Sequence, residues 1–183
     1  MFKRVFCSFA IVLMMLTTPA MAQGSAQTIG VVDVQKILQV SSAGKNIHDQ
    51  LEAKRNSYQK EISGKEDSLR KLEKSILDQK GTMSEADFNT KRKEFEREVL
   101  STQKVVQNNK RSLEAGFARA LGKLRDEVRD TIEVVAKDRG FTMVLSQENV
   151  IIAQPAFDIT DAVIAALDKR ISNISIDWSV PKN

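Results

Sequence analysis

Between Ala43 and Arg139 the chain contains no proline, and its apolar residues recur at helical spacing. Leu51, Tyr58 and Leu72 fall in one seven-residue series whose remaining slot is Lys65, while Ile62, Leu69 and Ile76 form a second series. Two such series make an a/d seam along a helix from about Ala43 to Lys80. Gly81-Thr82-Met83 interrupts the pattern, and Ser84 with Asp87 three residues later has the form of a capping box opening a second helix. There Phe88, Phe95 and Thr102 repeat by sevens, offset from Val99, Val106 and Leu113. Leu113, Phe117, Leu121, Leu124, Val128, Ile132 and Val135 then average about 3.7 residues apart, near the eleven-residue period of a straight or slightly right-handed helix. Gly140 is positioned to end it.

Neither seam can be buried alone, so the two helices are expected to fold back on each other with the tip near 81–84; one continuous helix kinked at Gly81 is the alternative. The arms would span roughly 55–85 Å at 1.5 Å per residue.

Period-2 stretches flank this helical block. "TIGVVDV", Thr28 to Val34, reads as a strand, after which Asp33 or Ser41 can open a helix. After Gly140, "FTMVLS" and "VIIAQ" around a polar Gln147-Glu148-Asn149 turn read as a hairpin of two strands. Asp158 or Thr160 then caps a last helix through about Ile171, with Val163, Ile164 and Leu167 on one face. Three short strands need helices or other copies to pack on. In the tail, Ile174, Ile176, Trp178 and Val180 alternate with polar residues, a half-buried strand pattern that would either add an edge to the sheet or pair with a partner.

The N-terminus changes the inventory. Lys3 and Arg4, an apolar run from Val5 to Leu16, and Ala20-Met21-Ala22 form a secretory signal with cleavage expected after Ala22. Removing it takes away the only cysteine, Cys7, and lowers the formal charge from +4 to +2. A near-balanced exported chain gives no reason to expect nucleic acid as a partner. Few aromatic residues remain after residue 22, which suits an elongated or oligomeric molecule better than a compact globule.

The opening "IGVVDVQKILQ", the long charged helical pair and the closing "GFTMVLSQENVIIAQPAFDITDAVIAAL" together resemble the Skp (OmpH) family of periplasmic chaperones. The resemblance covers about Thr28 to Ile171, and Asp158-Ile159-Thr160 carries it best. It implies an α+β, mostly α fold: a long antiparallel coiled-coil-like hairpin, residues 43–139, on a small β body formed by residues 23–42 and 140–183. It also implies a periplasmic homotrimer whose three arms hold unfolded outer-membrane proteins without ATP or any cofactor. The chain departs from the family in being less strongly basic and in carrying the "SNISIDWSVPKN" tail past the expected end. A structural coiled-coil tether or spacer of the envelope is the alternative that the helical pair alone would allow.

Catalytic chemistry finds little to work with. His48 is the only histidine, there is no cysteine after the signal, and no glycine-rich phosphate loop is present, so no enzyme is expected. Charge placement says more. Lys104, Lys110, Arg111, Arg119, Lys123 and Arg125 face only Glu114 in their segment, and with the facing Gln39–Lys60 segment the proximal half sums to +7. The distal half, Glu61–Gln103, sums to −1. This band is either a contact surface for acidic client segments or anionic lipid, including lipopolysaccharide, or a solvated helix face. Met83 in the turn is the best candidate for an exposed apolar client contact; Phe88, Phe95 and Phe117 read as seam residues. Gly64, Gly116 and Gly122 each cost about 1 kcal/mol in a helix interior, and either admit a close approach or let the arms bend.

Overall fold

A computed structural model describes residues 28–180. The expected signal segment and its cleavage point lie outside the described residues, as does Pro181 at the end of the tail. The elements in order are β1 (Ile29–Val32), α1 (Val34–Val40), α2 (Ser42–Gln79), α3 (Glu85–Asp138), β2 (Met143–Ser146) and α4 (Thr160–Arg170), with single 3-10 turns at Gln147–Asn149 and Pro155–Phe157. The molecule is mostly helical, with one two-stranded sheet.

Both helix starts read from the sequence exist, one after the other. Asp33 accepts the Lys36 N–H at 2.8 Å and opens α1. Ser41 closes α1 through its own N–H to the Ile37 carbonyl and opens α2 by accepting the Gly44 N–H. Between α2 and α3, Ser84 accepts the Asp87 N–H at 3.1 Å. Asp87 is too short to reach back to the backbone as a glutamate would, and its carboxylate accepts from the Ser84 hydroxyl instead, at 2.7 Å. At the far end Gly140 has φ 73°, and Phe141 N–H reaches back to the Ala136 carbonyl at 2.8 Å. These bonds form a Schellman closure, which a residue with a Cβ would strain.

The sheet differs from the expected hairpin. β2 pairs with β1 in parallel, Ile29 opposite Met143 through Val32 opposite Ser146. The "VIIAQ" segment is not a strand: Ile151 and Ile152 are 99% and 88% exposed. After β2 the chain coils through both 3-10 turns and returns on the other edge of β1, where Asp158 bridges Val31 and the Ile159 N–H donates to the Val31 carbonyl. β1 is therefore central and its last three residues fall below a tenth exposure. Alternation predicts that a segment is extended; it does not say which edge is free, and a parallel pair needs only a long crossover, here supplied by α1–α3.

The core gathers Val32, Ile37, Leu38 and Ile47 from the first third of the chain, Leu124, Val128 and Val135 from α3, and Ile159, Val163 and Leu167 around α4. At about 1.5–3 kcal/mol for each fully buried side chain, this cluster is the main source of cohesion. Polar ties reinforce it. Ser42 N–H donates to Asp168 at 2.8 Å, Lys36 pairs with Asp161, and Arg170 reaches Glu127 at 3.0 Å, so α4 bonds to α1, α2 and α3.

Contacts between α2 and α3 run in opposite chain directions. Tyr58 meets Ser112, Glu61 accepts from Asn109, and Lys65 pairs with Glu98 at 3.5 Å. The polar slot in the first seam is thus filled by an ion pair across the helices. The second seam drifts from its heptads: Val106 is 41% exposed, whereas Thr102, Ser112, Gly116 and Ala120 are buried. Near-3.6 spacing rotates the buried stripe away from Val106 and onto small residues.

Candidate functional site

Three surfaces could carry function, and each follows from how the chain ends meet the helices. The first is the junction of β1, α1 and α4. Thr160 is fully buried, and its hydroxyl oxygen accepts the Asp33 N–H at 2.9 Å. Asp158 accepts the Thr160 N–H at 2.8 Å, one residue ahead of the α4 N-cap. The Thr160 hydroxyl and then its N–H hold the Asp158 carboxyl below the usual carboxylate range. Asp33 and the Asp158-Ile159-Thr160 turn are therefore one hydrogen-bonded knot tying both chain ends together, a structural role and not a chemical one.

Beside this knot lies an uncovered apolar groove of about 450 Å³, lined by Ile29, Val31, Leu145, Val150, Ile152 and Phe157. Ile151 stands clear of it in solvent. So dense an exposed apolar patch, on one face of the sheet and the adjoining Val150–Phe157 segment, marks an interaction surface.

The second surface is the basic stretch of α3. Lys104, Lys110, Arg111, Lys123 and Arg125 are exposed. Lys104, Arg111 and Arg125 are seven and fourteen residues apart, within about 60° on the helix at 100° per residue. Lys110 sits 3.9 Å from Glu114. Arg119 alone is engaged elsewhere: it donates to the Asp177 and Ser179 carbonyls at 2.7 and 2.9 Å. Met83 is half-buried in the α2–α3 turn, and Phe88, Phe95 and Phe117 are half-buried along α3.

The third surface was missed in the sequence. Residues 171–180 form no strand and do not extend the sheet; they run extended along α2 and α3. Side chains of the helices take the place of a neighbouring strand. Asn46 and Gln50 bond to the backbone of Ile174 and Ile176, and Ser112 donates to the Trp178 carbonyl at 2.6 Å. Ile174 and Ile176 join the core and Trp178 packs against it. Gly116 makes room: a Cβ there would sit 2.9 Å from the Asp177 carbonyl oxygen and 3.0 Å from Trp178. Gly64 and Gly122 meet nothing within 4 Å. The signal for this groove was the run of small residues Ser112, Gly116 and Ala120 at four-residue spacing, which a search for large apolar residues passes over.

His48 is exposed, its ring tilted against Phe117 at 5.9 Å, which is packing and not a ligand position. Among the described residues no group of three or more His, Cys, Asp or Glu side chains could hold a metal ion. No described helix is long and apolar enough to cross a membrane.

Residues 28–167 match the model of the family described as outer membrane protein (OmpH-like). The chain belongs to the OmpH-like family. A Skp-like protein from Chlamydia muridarum (strain MoPn / Nigg) is 28% identical over 155 residues, which is 83% of this chain and 89% of that protein. In three dimensions the chain resembles a protein from Caulobacter crescentus CB15 described as an OmpH-like candidate outer membrane chaperone. Their TM-score is 0.79 at 25% identity, covering 82% of this chain and 89% of the other. The OmpH-like match takes in the Asp33–Thr160 knot and most of α4 and stops before the tail. Membership in this family supports a chaperone role.

Proposed function

We propose that the protein is an ATP-independent periplasmic holdase. It binds unfolded outer-membrane proteins between helical arms made of α2 and α3, and it acts as a homotrimer. The observation that carries this reading is the pairing of a long, half-buried helical pair with an uncovered apolar sheet face at its root. Ile29, Leu145, Ile152 and Phe157 around that face would be covered by neighbouring copies, which would point the arms one way. Bases closed in this manner leave Lys104, Arg111 and Arg125 lining the inner or lateral walls, where repetition would concentrate positive potential. A simple envelope spacer needs no such base.

The test mixes the purified protein with a urea-unfolded β-barrel protein, dilutes the urea, and measures soluble complex and its stoichiometry. Suppressed aggregation with a trimeric mass by light scattering is expected. Ile151→Ser with Ile152→Ser is expected to lower the mass toward the monomer. Aggregation unaffected by the protein, or a monomeric wild type, sinks the reading and favours the tether.

A further inference from the structure

The tail is held by its backbone. The Gln50 carboxamide donates to the Ile174 carbonyl at 2.9 Å and accepts the Ile176 N–H at 3.2 Å. That is how the N–H and C=O of one residue in a parallel neighbouring strand would engage residues i and i+2. Asn46 accepts the Ile174 N–H at 3.3 Å, Ser112 donates to the Trp178 carbonyl, and Arg119 donates to the Asp177 and Ser179 carbonyls. None of these bonds needs a particular tail side chain. Specificity is left to the alternation: Ile174 and Ile176 are buried in the groove, and Trp178 stacks over Gly116.

We infer that the groove formed by Asn46, Gln50, Ser112, Gly116 and Arg119 is a binding site for an extended segment of alternating apolar and polar residues, and that the tail is its built-in competitor. This deepens the holdase reading and rests on it. The ligand is a strand of an unfolded β-barrel, whose dyad alternation matches Ile174-Ser175-Ile176-Asp177-Trp178. A strand that displaces the tail gains the same backbone bonds and the same two apolar slots. The connection is short, since α4 ends at Arg170 and the first groove contact is Ile174. A tether of that kind gives an effective concentration in the mM range, so a groove with an intrinsic constant of about 0.1 mM would be masked about tenfold.

Trp178 is the only tryptophan in the chain, so its emission reports whether the tail is seated. The intact protein is titrated with a fluorescein-labelled, tryptophan-free ten-residue peptide of alternating pattern. A control peptide of the same composition has its apolar residues grouped at one end. Saturable binding of the alternating peptide by anisotropy, with a matching red shift of Trp178, is the expected result. The control should bind far more weakly. Deleting residues 172–183 should tighten alternating-peptide binding about tenfold. Ile174→Asn with Ile176→Asn, which unseats the tail and leaves the groove intact, should do the same if the deletion does not fold. Peptide binding without any change in Trp178 emission overturns the inference while leaving the holdase reading standing. Equal affinity in the intact and tail-released proteins overturns it as well. Failure of the intact protein to keep an unfolded β-barrel soluble removes the holdase reading itself.

Discussion

Replacing Thr160 with valine keeps the shape of the side chain and removes only the hydroxyl. That hydroxyl does two things in the fold. It accepts the Asp33 N–H at 2.9 Å, and it helps to hold the Asp158 carboxyl below the usual carboxylate range. Thr160 is fully buried, so in Thr160→Val the Asp33 N–H loses its acceptor where water cannot easily replace it. A stranded buried donor costs about 1–3 kcal/mol. Asp158 is exposed, so solvent screens its share and it adds less at neutral pH than the stranded donor does. The expected loss near pH 7 is therefore about 1–3 kcal/mol, read by urea unfolding followed by circular dichroism at one fixed protein concentration.

The pH dependence gives a second, independent reading. Asp158 titrates below its ordinary value in the folded protein, chiefly because of the Thr160 hydroxyl and next the Thr160 N–H. A folded pKa below the unfolded one means the carboxylate stabilises the fold above the unfolded value, about 3.9. That contribution is lost as pH falls through the depressed folded value. Thr160→Val removes the larger cause and keeps the N–H bond, so its stability should fall less steeply below about pH 4. The gap between the two proteins should narrow there. Thr160→Ser, which loses a methyl at a cost near 0.8 kcal/mol but keeps the hydroxyl, should retain the wild-type slope. A loss below about 0.5 kcal/mol at pH 7 refutes the assigned role, since ordinary surface changes do as much. A gap that widens on acidification refutes the sign.

Two further outcomes follow from the arms. Charge reversal of Lys104, Arg111 and Arg125 to Glu should weaken binding of an unfolded β-barrel and flatten its salt dependence, because screening lengths shrink to about 3 Å at 1 M; affinity equal in low and high salt for the wild type would remove the band from the mechanism. Gly64→Ala and Gly122→Ala meet open space and should each stabilise by up to about 1 kcal/mol while narrowing arm spread in small-angle scattering, whereas Gly116→Ala should destabilise by about 1–3 kcal/mol because the tail must move.

Helix periodicity, the Ser84 cap and the Gly140 terminator were legible because each is a local rule acting over three or four residues. What escaped was partner choice. "VIIAQ" has the composition of a strand, yet β1 already takes β2 on one edge and Asp158 on the other, and Ile151 is left in solvent. The tail has the alternation of a strand too, and it satisfies its backbone on Gln50, Ser112 and Arg119 instead of on a sheet. Neither outcome is encoded within the segment itself. Arg119 shows the same limit: its charge reads as part of the basic band, while its guanidinium is spent on the tail.

Burial along the helical pair changes where the tail lies on it. Farther out, Ile62, Leu69 and Leu72 are only half-buried, because two helices can cover only one stripe of each other. At the root, a third extended segment fills the remaining groove, and Ser112, Gly116 and Ala120 become buried along with Ile174 and Ile176. On the holdase reading, a client strand would do farther out what the tail does here. Two slots of the Ile174–Ile176 kind supply about 3–6 kcal/mol before the cost of ordering the strand, which leaves any single contact weak. On that same reading, weak contacts repeated along three arms would hold a long unfolded chain by avidity and still let it go one strand at a time, so release would need no nucleotide. A single tight site would hold the same client but would then require an energy source to let it leave.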